Sequence, residues 1–465
     1  PNIVGYIAAG IIVGPYTPGF VADQNLTMQL AEIGVNMAQI TKRLQDDGVD
    51  AFLHAFDDLM EQIEAKRTVL RAGVMARQKA ALGIYANAFD TTLASLDKQF
   101  FNGRLWNHDG SLWKDHGPTI GKIQNRLGWL DVPSTIDMTR LKTLQNKMRD
   151  NTYESVVLLG MGGSSLAPEV LSKTFGPQDG YPLLIVLDNT HPGQVEAIEK
   201  AIDIGKTLFI VASKSGGTVE TLSFYRYFYQ QTGENGAQFI AITDPGSKLE
   251  GIARDNDFRE LFLNPADIGG RSSALSYFGM VPAALMGLDL DALWDQADNM
   301  MEACGPTIME ASHPALILGA VMGTIGKQGR DKVGIYASEP IRSFGDWAEQ
   351  LVAESVGKEG VGLVPVVGAT LGRPHDHDTD RQFIYLKLEG ADDNEEMAEG
   401  IRMLREAGHP RVTITLPDKY ALAGEFFRWE YATAVAGKIY GINPFDEPNV
   451  TESKNNTNRL LDHYR

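Results

Sequence analysis

The sequence has a single cysteine, Cys304, among 465 residues. A lone thiol closes no internal disulfide and leaves a thiolate metal cluster without ligands, so disulfide-stapled scaffolds and zinc-finger-type modules are excluded. It fits a reducing compartment. Basic residues are also in deficit. Lysine and arginine number 42 against 60 aspartates and glutamates, leaving a formal charge of −18 at pH 7. A chain this acidic repels nucleic acid and anionic lipid, which argues against sequence-independent binding to either. A phosphorylated small molecule is not excluded, because backbone N–H groups and a few local cations can hold an anion inside an acidic protein. Long apolar runs are missing too. Residues 1–22 carry no charge, but the continuous apolar part, Ile3 to Val13, falls short of the ~20 residues a membrane helix needs. Pro15 and Pro18 interrupt the remainder, and no basic segment precedes it, as a signal peptide would require. Low-complexity tracts and clear repeats are lacking.

What is present reads as several domains, since ~100–200 residues per domain is usual. A chain that starts at Pro1 reads as cut from a longer product, with residues 1–36 an appended apolar segment. In 37–76, Val49, Phe52, Phe56, Leu59 and Ile63 recur at spacings of three and four, with Asp46, Asp47, Asp57, Asp58 and Glu61 between them. That spacing predicts one amphipathic packing helix. Residues 77–150 read as helical, with Trp106, Trp113 and Trp129 as packing anchors. From there short apolar runs alternate with helical periodicity: Ser155–Leu159, Leu183–Leu187, Thr207–Ala212, Phe239–Ile242, Val333–Ala337, Leu363–Val367, Phe383–Leu388 and Val412–Leu416. Buried runs separated by helices predict an α/β fold of parallel sheets with helices on both faces, a three-layer αβα arrangement. The helical stretch 288–332 puts a boundary near 300–325, between domains at 151–300 and 320–465.

Two loops could hold an anion. In VVLLGMGGSSLAPEVL, residues 156–171, a strand ends at Leu159 and Gly160, Gly162 and Gly163 allow a tight turn. Ser164 and Ser165 then open a helix. Glycines let the backbone approach an anion, and a helix N-terminus offers free N–H groups. A dinucleotide fingerprint would need a third glycine where Ser165 stands. In TLFIVASKSGGTVETL, residues 207–222, a strand delivers Ser213, Lys214, Ser215 and Thr218 into a helix starting near Val219. Hydroxyls and N–H groups in this number suit the oxygens of a phosphomonoester. The pair of loops favours a sugar phosphate over NAD; a purely structural pair of Ser/Gly turns is the bland alternative.

The paired loops resemble the SIS (sugar isomerase) fold, and four further segments resemble glucose-6-phosphate isomerases. DIGGRSSALSYFG at 267–279 is similar to the family's GGR signature, with Ser272 where an aromatic residue is usual. AESVGKEG at 353–360 resembles the segment with the catalytic glutamate. RWEYATAVAGKIYGINPFDEPNVTESK at 428–454 resembles the signature that ends in an active-site lysine. LWNHDGSLWKDHGPTIGKIQNRLGWLD at 105–131 resembles the lead-in of the isomerase half of transaldolase/isomerase fusions. Residues 37–68 likewise resemble a transaldolase C-terminal tail, without the barrel that activity would need. Residues 1–35 resemble a stretch of Kef-type cation/proton antiporters, without the further spans of one.

The resemblance implies two SIS-type domains after a helical N-terminal region, the second reading as truncated at Arg465. It also implies interconversion of glucose 6-phosphate and fructose 6-phosphate in glycolysis and gluconeogenesis. Gly163 and Ser164 would meet the substrate, and Ser213, Lys214, Ser215 and Thr218 would bind its phosphate. Glu354 would be the base, Arg271 the cation at the developing oxyanion, and Lys454 would assist ring opening. Moving a proton between C2 and C1 through an enediolate needs one such carboxylate and one such cation. No metal or other cofactor is implied; the expected partner is the sugar phosphate, the expected assembly a cytoplasmic homodimer. Two departures stand out. Glu447 replaces the usual glutamine, and Arg381 falls where the ring-opening histidine would be, with His375 and His377 a few residues upstream. Alternatives are a non-catalytic phosphosugar-binding regulator and an isomerase of another sugar phosphate.

Overall fold

The runs of buried β-branched and aromatic residues are strands, in two sheets. The computed structural model describes residues 37–149, 152–392 and 395–464. The first sheet holds β2 (Ser155–Leu159), β3 (Leu183–Leu187), β4 (Thr207–Ala212), β5 (Phe239–Thr243) and β6 (Glu260–Leu263), in the order β3-β2-β4-β5-β6, all parallel. Alternation along its strands sorts their side chains onto two faces. Val157, Leu159, Phe209 and Val211 pack with Ile198, Phe224 and Phe228 of the helices Pro192–Ala201 and Val219–Gln231. Val156, Leu158, Leu208 and Ile210 join the other core with Val170, Leu171 and Val281, from the helices Leu166–Phe175 and Tyr277–Leu285. This is the expected helix–sheet–helix layering.

The second sheet holds β1 (Gln78–Ala81), β7 (Lys332–Ala337), β8 (Val364–Val367), β9 (Arg381–Leu388) and β10 (Arg411–Leu416), in the order β1-β10-β9-β7-β8. All neighbours are parallel except β1, which runs antiparallel to β10. β1 corrects the reading of 77–150 as helical throughout. Its sequence, QKAA, carries no strand signal; pairing with a partner more than 300 residues away makes it a strand.

The chain divides into two compact units, 1–72 and 73–465. Both sheets belong to the second. The helix Leu422–Tyr440 runs through it, buried on every side from Leu422 to Gly437 and packed on the helices Leu290–Ala303, Pro314–Lys327 and Phe344–Val356. Trp113 and Trp129 are buried, and Trp113 Nε1 donates to the Ala434 carbonyl at 3.0 Å. In the first unit the expected helix is present within Met37–Ala76. Its apolar residues Val49, Phe52, Phe56, Leu59 and Ile63 are exposed. An amphipathic period specifies a helix but names no partner. Residues 1–36 lie outside the described residues. Among the described residues no helix is long and apolar enough to cross a membrane.

Candidate active site

β2 and β4 are adjacent and parallel, so the loops that leave them open at the same edge of the first sheet. In parallel α/β sheets this edge, beyond the strands' carboxyl ends, is where ligands are held. The first loop is pinned from behind. A Cβ on Gly163 would stand 2.2 Å from the Gly270 carbonyl oxygen, so only glycine lets the loop reach the GGR segment. Ser273 Oγ donates to that same carbonyl at 2.6 Å and to the Gly163 carbonyl at 3.3 Å. Ser164 is buried in the short helical turn Gly162–Ser164.

The second loop turns at Gly216, where φ is +63° and a Cβ would meet the Ser247 side chain at 2.7 Å. Ser213 Oγ and Thr218 Oγ1 share a hydrogen bond of 3.0 Å across the turn. Ser215 Oγ accepts from Gly217 N–H at 3.3 Å. The helix Val219–Gln231 begins directly after Thr218. Three hydroxyls therefore converge with the free N–H groups of a helix N-terminus, which is an anion site's chemistry. Lys214 makes contacts of its own: its ammonium pairs with Asp244 and donates to the Ala266 carbonyl at 2.9 Å. Burial pushes the Asp244 carboxyl up, with the Lys214 charge opposing it. In this structure Lys214 braces the loop against the end of β5 and the segment after β6.

Arg271 gathers the rest. It is buried, and Nη1 reaches Glu354 Oε2 at 3.1 Å and Glu447 Oε1 at 3.7 Å. Nη2 donates to the Pro444 and Asp446 carbonyls at 2.8 and 2.9 Å. Glu354 lies in the last turn of the helix Phe344–Val356, about one-third exposed. Its other oxygen accepts from Gln350 Nε2 at 2.9 Å. Three expected residues, Arg271, Glu354 and Glu447, are thus brought together, and the Gly163–Gly270 contact joins them to the first loop.

Two further residues belong to this cluster. Gln350 orients the Glu354 carboxylate, and its buried Oε1 has no hydrogen-bond partner among the described residues. The signal was its place four residues before Glu354, on the same helix face. Lys358 is buried and bonds Asp446; burial, then the nearby Arg271 charge, lower its pKa. It stood inside the 353–360 segment with nothing to mark it.

Among the described side chains, no contact with this cluster is seen for the other expected positions. Lys454 falls in the helix Pro448–Tyr464, and its side chain lies outside the described ones. His375 is exposed and 3.5 Å from Asp376. His377 bonds the Leu371 carbonyl, faces Arg381 Nη1 at 3.4 Å and packs edge-on against Phe383. These contacts, with a ring contact to His409, show no histidine at Glu354. Among the described residues no group of three or more His, Cys, Asp or Glu could hold a metal ion.

A family model described as phosphoglucose isomerase matches residues 140–362. A glucose-6-phosphate isomerase of Rubrobacter xylanophilus is 30% identical over 385 residues, covering 71% of this chain and 88% of that protein. One of Methanocaldococcus jannaschii is 28% identical over 379 residues, 73% of this chain and 91% of the relative. Among solved structures, a hypothetical protein of Thermus thermophilus aligns with a TM-score of 0.70 at 26% identity, over 83% of this chain and 99% of that one. A glucose-6-phosphate isomerase of Chlamydia trachomatis shares the fold, with a TM-score of 0.59 at 18% identity over 78% of each chain. The antiporter-like reading of residues 1–35 and the transaldolase-fusion reading are not borne out by these likenesses.

Proposed function

Because the chain belongs to the glucose-6-phosphate isomerase family, we propose that it interconverts glucose 6-phosphate and fructose 6-phosphate through an enediolate. The observation that carries the reading is the Glu354 carboxylate, held between Gln350 Nε2 and Arg271 Nη1. A carboxylate so oriented can take a proton from C2 and return it at C1. The guanidinium beside it can stabilise the oxyanion that develops as the proton leaves. The hydroxyl-rich turn 213–218, with Gly163 and Ser164 alongside, holds the phosphate and places the sugar's carbonyl end at Glu354. Glu447 lines the same pocket, and Lys454 is assigned to ring opening on the resemblance alone.

The family resemblance supports a homodimer. The lone Cys304, buried and with its thiol pKa pushed up to about 12 by burial, fits a reducing cytoplasm. A coupled assay of the full chain, run from glucose 6-phosphate and from fructose 6-phosphate, tests the function. Turnover in both directions is expected. Tight sugar-phosphate binding without turnover would make the chain a phosphosugar-binding module instead.

A further inference from the structure

Lys358 is a buried cation that the proposed chemistry leaves unused. Its side chain is only 2% exposed, and its ammonium donates to the Asp446 carboxylate at 2.9 Å and to the Asp446 carbonyl at 2.6 Å. The same carbonyl accepts from Arg271 Nη2 at 2.9 Å. Two cations therefore meet on one oxygen, an arrangement that needs compensating anions. Three carboxylates supply them: Glu354 and Glu447 toward Arg271, and Asp446 toward Lys358. The backbone fixes Lys358 where it stands. It follows the catalytic helix after Gly357, and paired main-chain bonds with Val361, at 3.1 and 3.2 Å, close the turn that carries it.

Resting on the isomerase reading, we propose that Lys358 is a positioning residue that holds the Asp446 carboxylate off Arg271. Arg271 Nη1 then faces Glu354, the more distant Glu447 and the oxyanion that forms on the substrate, without a third carboxylate. Without Lys358, the Asp446 carboxylate loses its cation partner, on a residue already bonded to the Arg271 guanidinium through its carbonyl. A carboxylate seated there would neutralise the charge that the oxyanion needs and loosen the grip on Glu354. The anion site at 213–218 is untouched, so turnover suffers and substrate affinity does not.

Steady-state kinetics and crystal structures of the full chain test this. Lys358→Met is expected to lower kcat by roughly 10- to 100-fold with KM nearly constant, the signature of a group acting on the transition state. Its crystal structure is expected to show the Asp446 carboxylate within hydrogen-bond distance of Arg271. Adding Asp446→Asn to Lys358→Met removes the freed charge and is expected to restore most of the lost kcat. Asp446→Asn alone leaves an amide oxygen for Lys358 and is expected to keep kcat within about threefold. A merely structural lysine predicts a double variant no better than the single one. Wild-type kcat in Lys358→Met, an unrelieved double variant, or an Asp446 carboxylate that stays away from Arg271 would each overturn the proposal. So would a folded Asp446→Asn protein that has lost turnover, an arm that does not depend on Lys358→Met folding. The crystallographic outcome needs no activity, so an inactive wild type would refute the isomerase reading and still leave the role of Lys358 to be decided.

Discussion

Arg271 Nη1 stands 3.1 Å from Glu354 Oε2, joining residues 83 positions apart in the chain. Arg271 arrives from the segment after β6 of the first sheet, and Glu354 from the helix that links β7 to β8 of the second. This cation and this acid therefore come from different sheets. The guanidinium is the more buried partner, 5% exposed against 32% for the carboxylate. Both Nη2 N–H groups are taken by carbonyls of the 444–446 turn, which anchors the guanidinium beside Glu354.

Replacing Glu354 with glutamine tests the base. The amide keeps the shape and can still bond Arg271, but it accepts no proton at neutral pH. A fall in kcat of roughly 10²-fold or more is expected, with KM little changed, since general-base contributions are of that size and the proposed phosphate site is the separate 213–218 turn. Near-wild-type turnover by Glu354→Gln would remove Glu354 from the mechanism.

The anion site is tested by Ser215→Ala combined with Thr218→Ala. Hydrogen bonds to a charged group contribute about 1.5–3 kcal/mol each, so losing two should raise KM by tenfold or more. Thr218→Ala also takes from the Ser213 hydroxyl its 3.0 Å partner, but both residues sit in a turn, and the fold should survive. Circular dichroism checks that point. Unchanged calorimetric affinity for a sugar phosphate in the folded variant would place the phosphate elsewhere.

All eight strands expected from buried apolar runs exist, because burial on both faces of a parallel sheet writes itself as consecutive Val, Ile, Leu and Phe. β1 and β6 were not legible. QKAA is strand only through its pairing with β10, and ELFL is shorter than a run that stands out. In the site, glycine- and serine-rich turns and the GGR and AES segments were readable as motifs in order. Their meeting at Arg271 was not, since nothing local says which loop of one sheet faces which helix of the other. The pairing of Lys214 with Asp244, 30 residues on, was equally hidden: composition shows a cation in a phosphate loop and not the carboxylate that claims it.

Glu447, where the family resemblance would have a glutamine, makes a prediction specific to this chain. Its carboxylate lies 3.7 Å from Arg271 Nη1 and competes with Glu354 and with the oxyanion for that one group. Glu447→Gln removes a negative charge beside an anionic intermediate and keeps the volume. A rise of a few-fold in kcat/KM is expected. A tenfold fall would show instead that the Glu447 charge takes part in proton transfer.

The last prediction concerns stability and pH. His313 caps the helix Pro314–Lys327: its Nδ1 accepts from Leu316 N–H at 3.1 Å and its Nε2 lies 3.0 Å from the Cys304 carbonyl, which assigns the proton to Nε2. Both nitrogens are therefore used by the neutral ring. Burial is complete and pushes the pKa down from 6.5 to about 3. A folded pKa below the unfolded one means the unfolded chain binds the extra proton. The stabilisation is fully present above pH 6.5 and is lost progressively as pH falls from there toward 3, at up to about 1.4 kcal/mol per pH unit. His313→Asn keeps a side-chain acceptor at the helix N-terminus but does not titrate. Denaturant unfolding of both proteins at about pH 7.5 and 5.5 should show the wild type losing about 1 kcal/mol more than the variant over that interval. Equal losses would mean that the His313 ring is protonated in the folded protein at the lower pH, and the buried neutral cap would have to be abandoned.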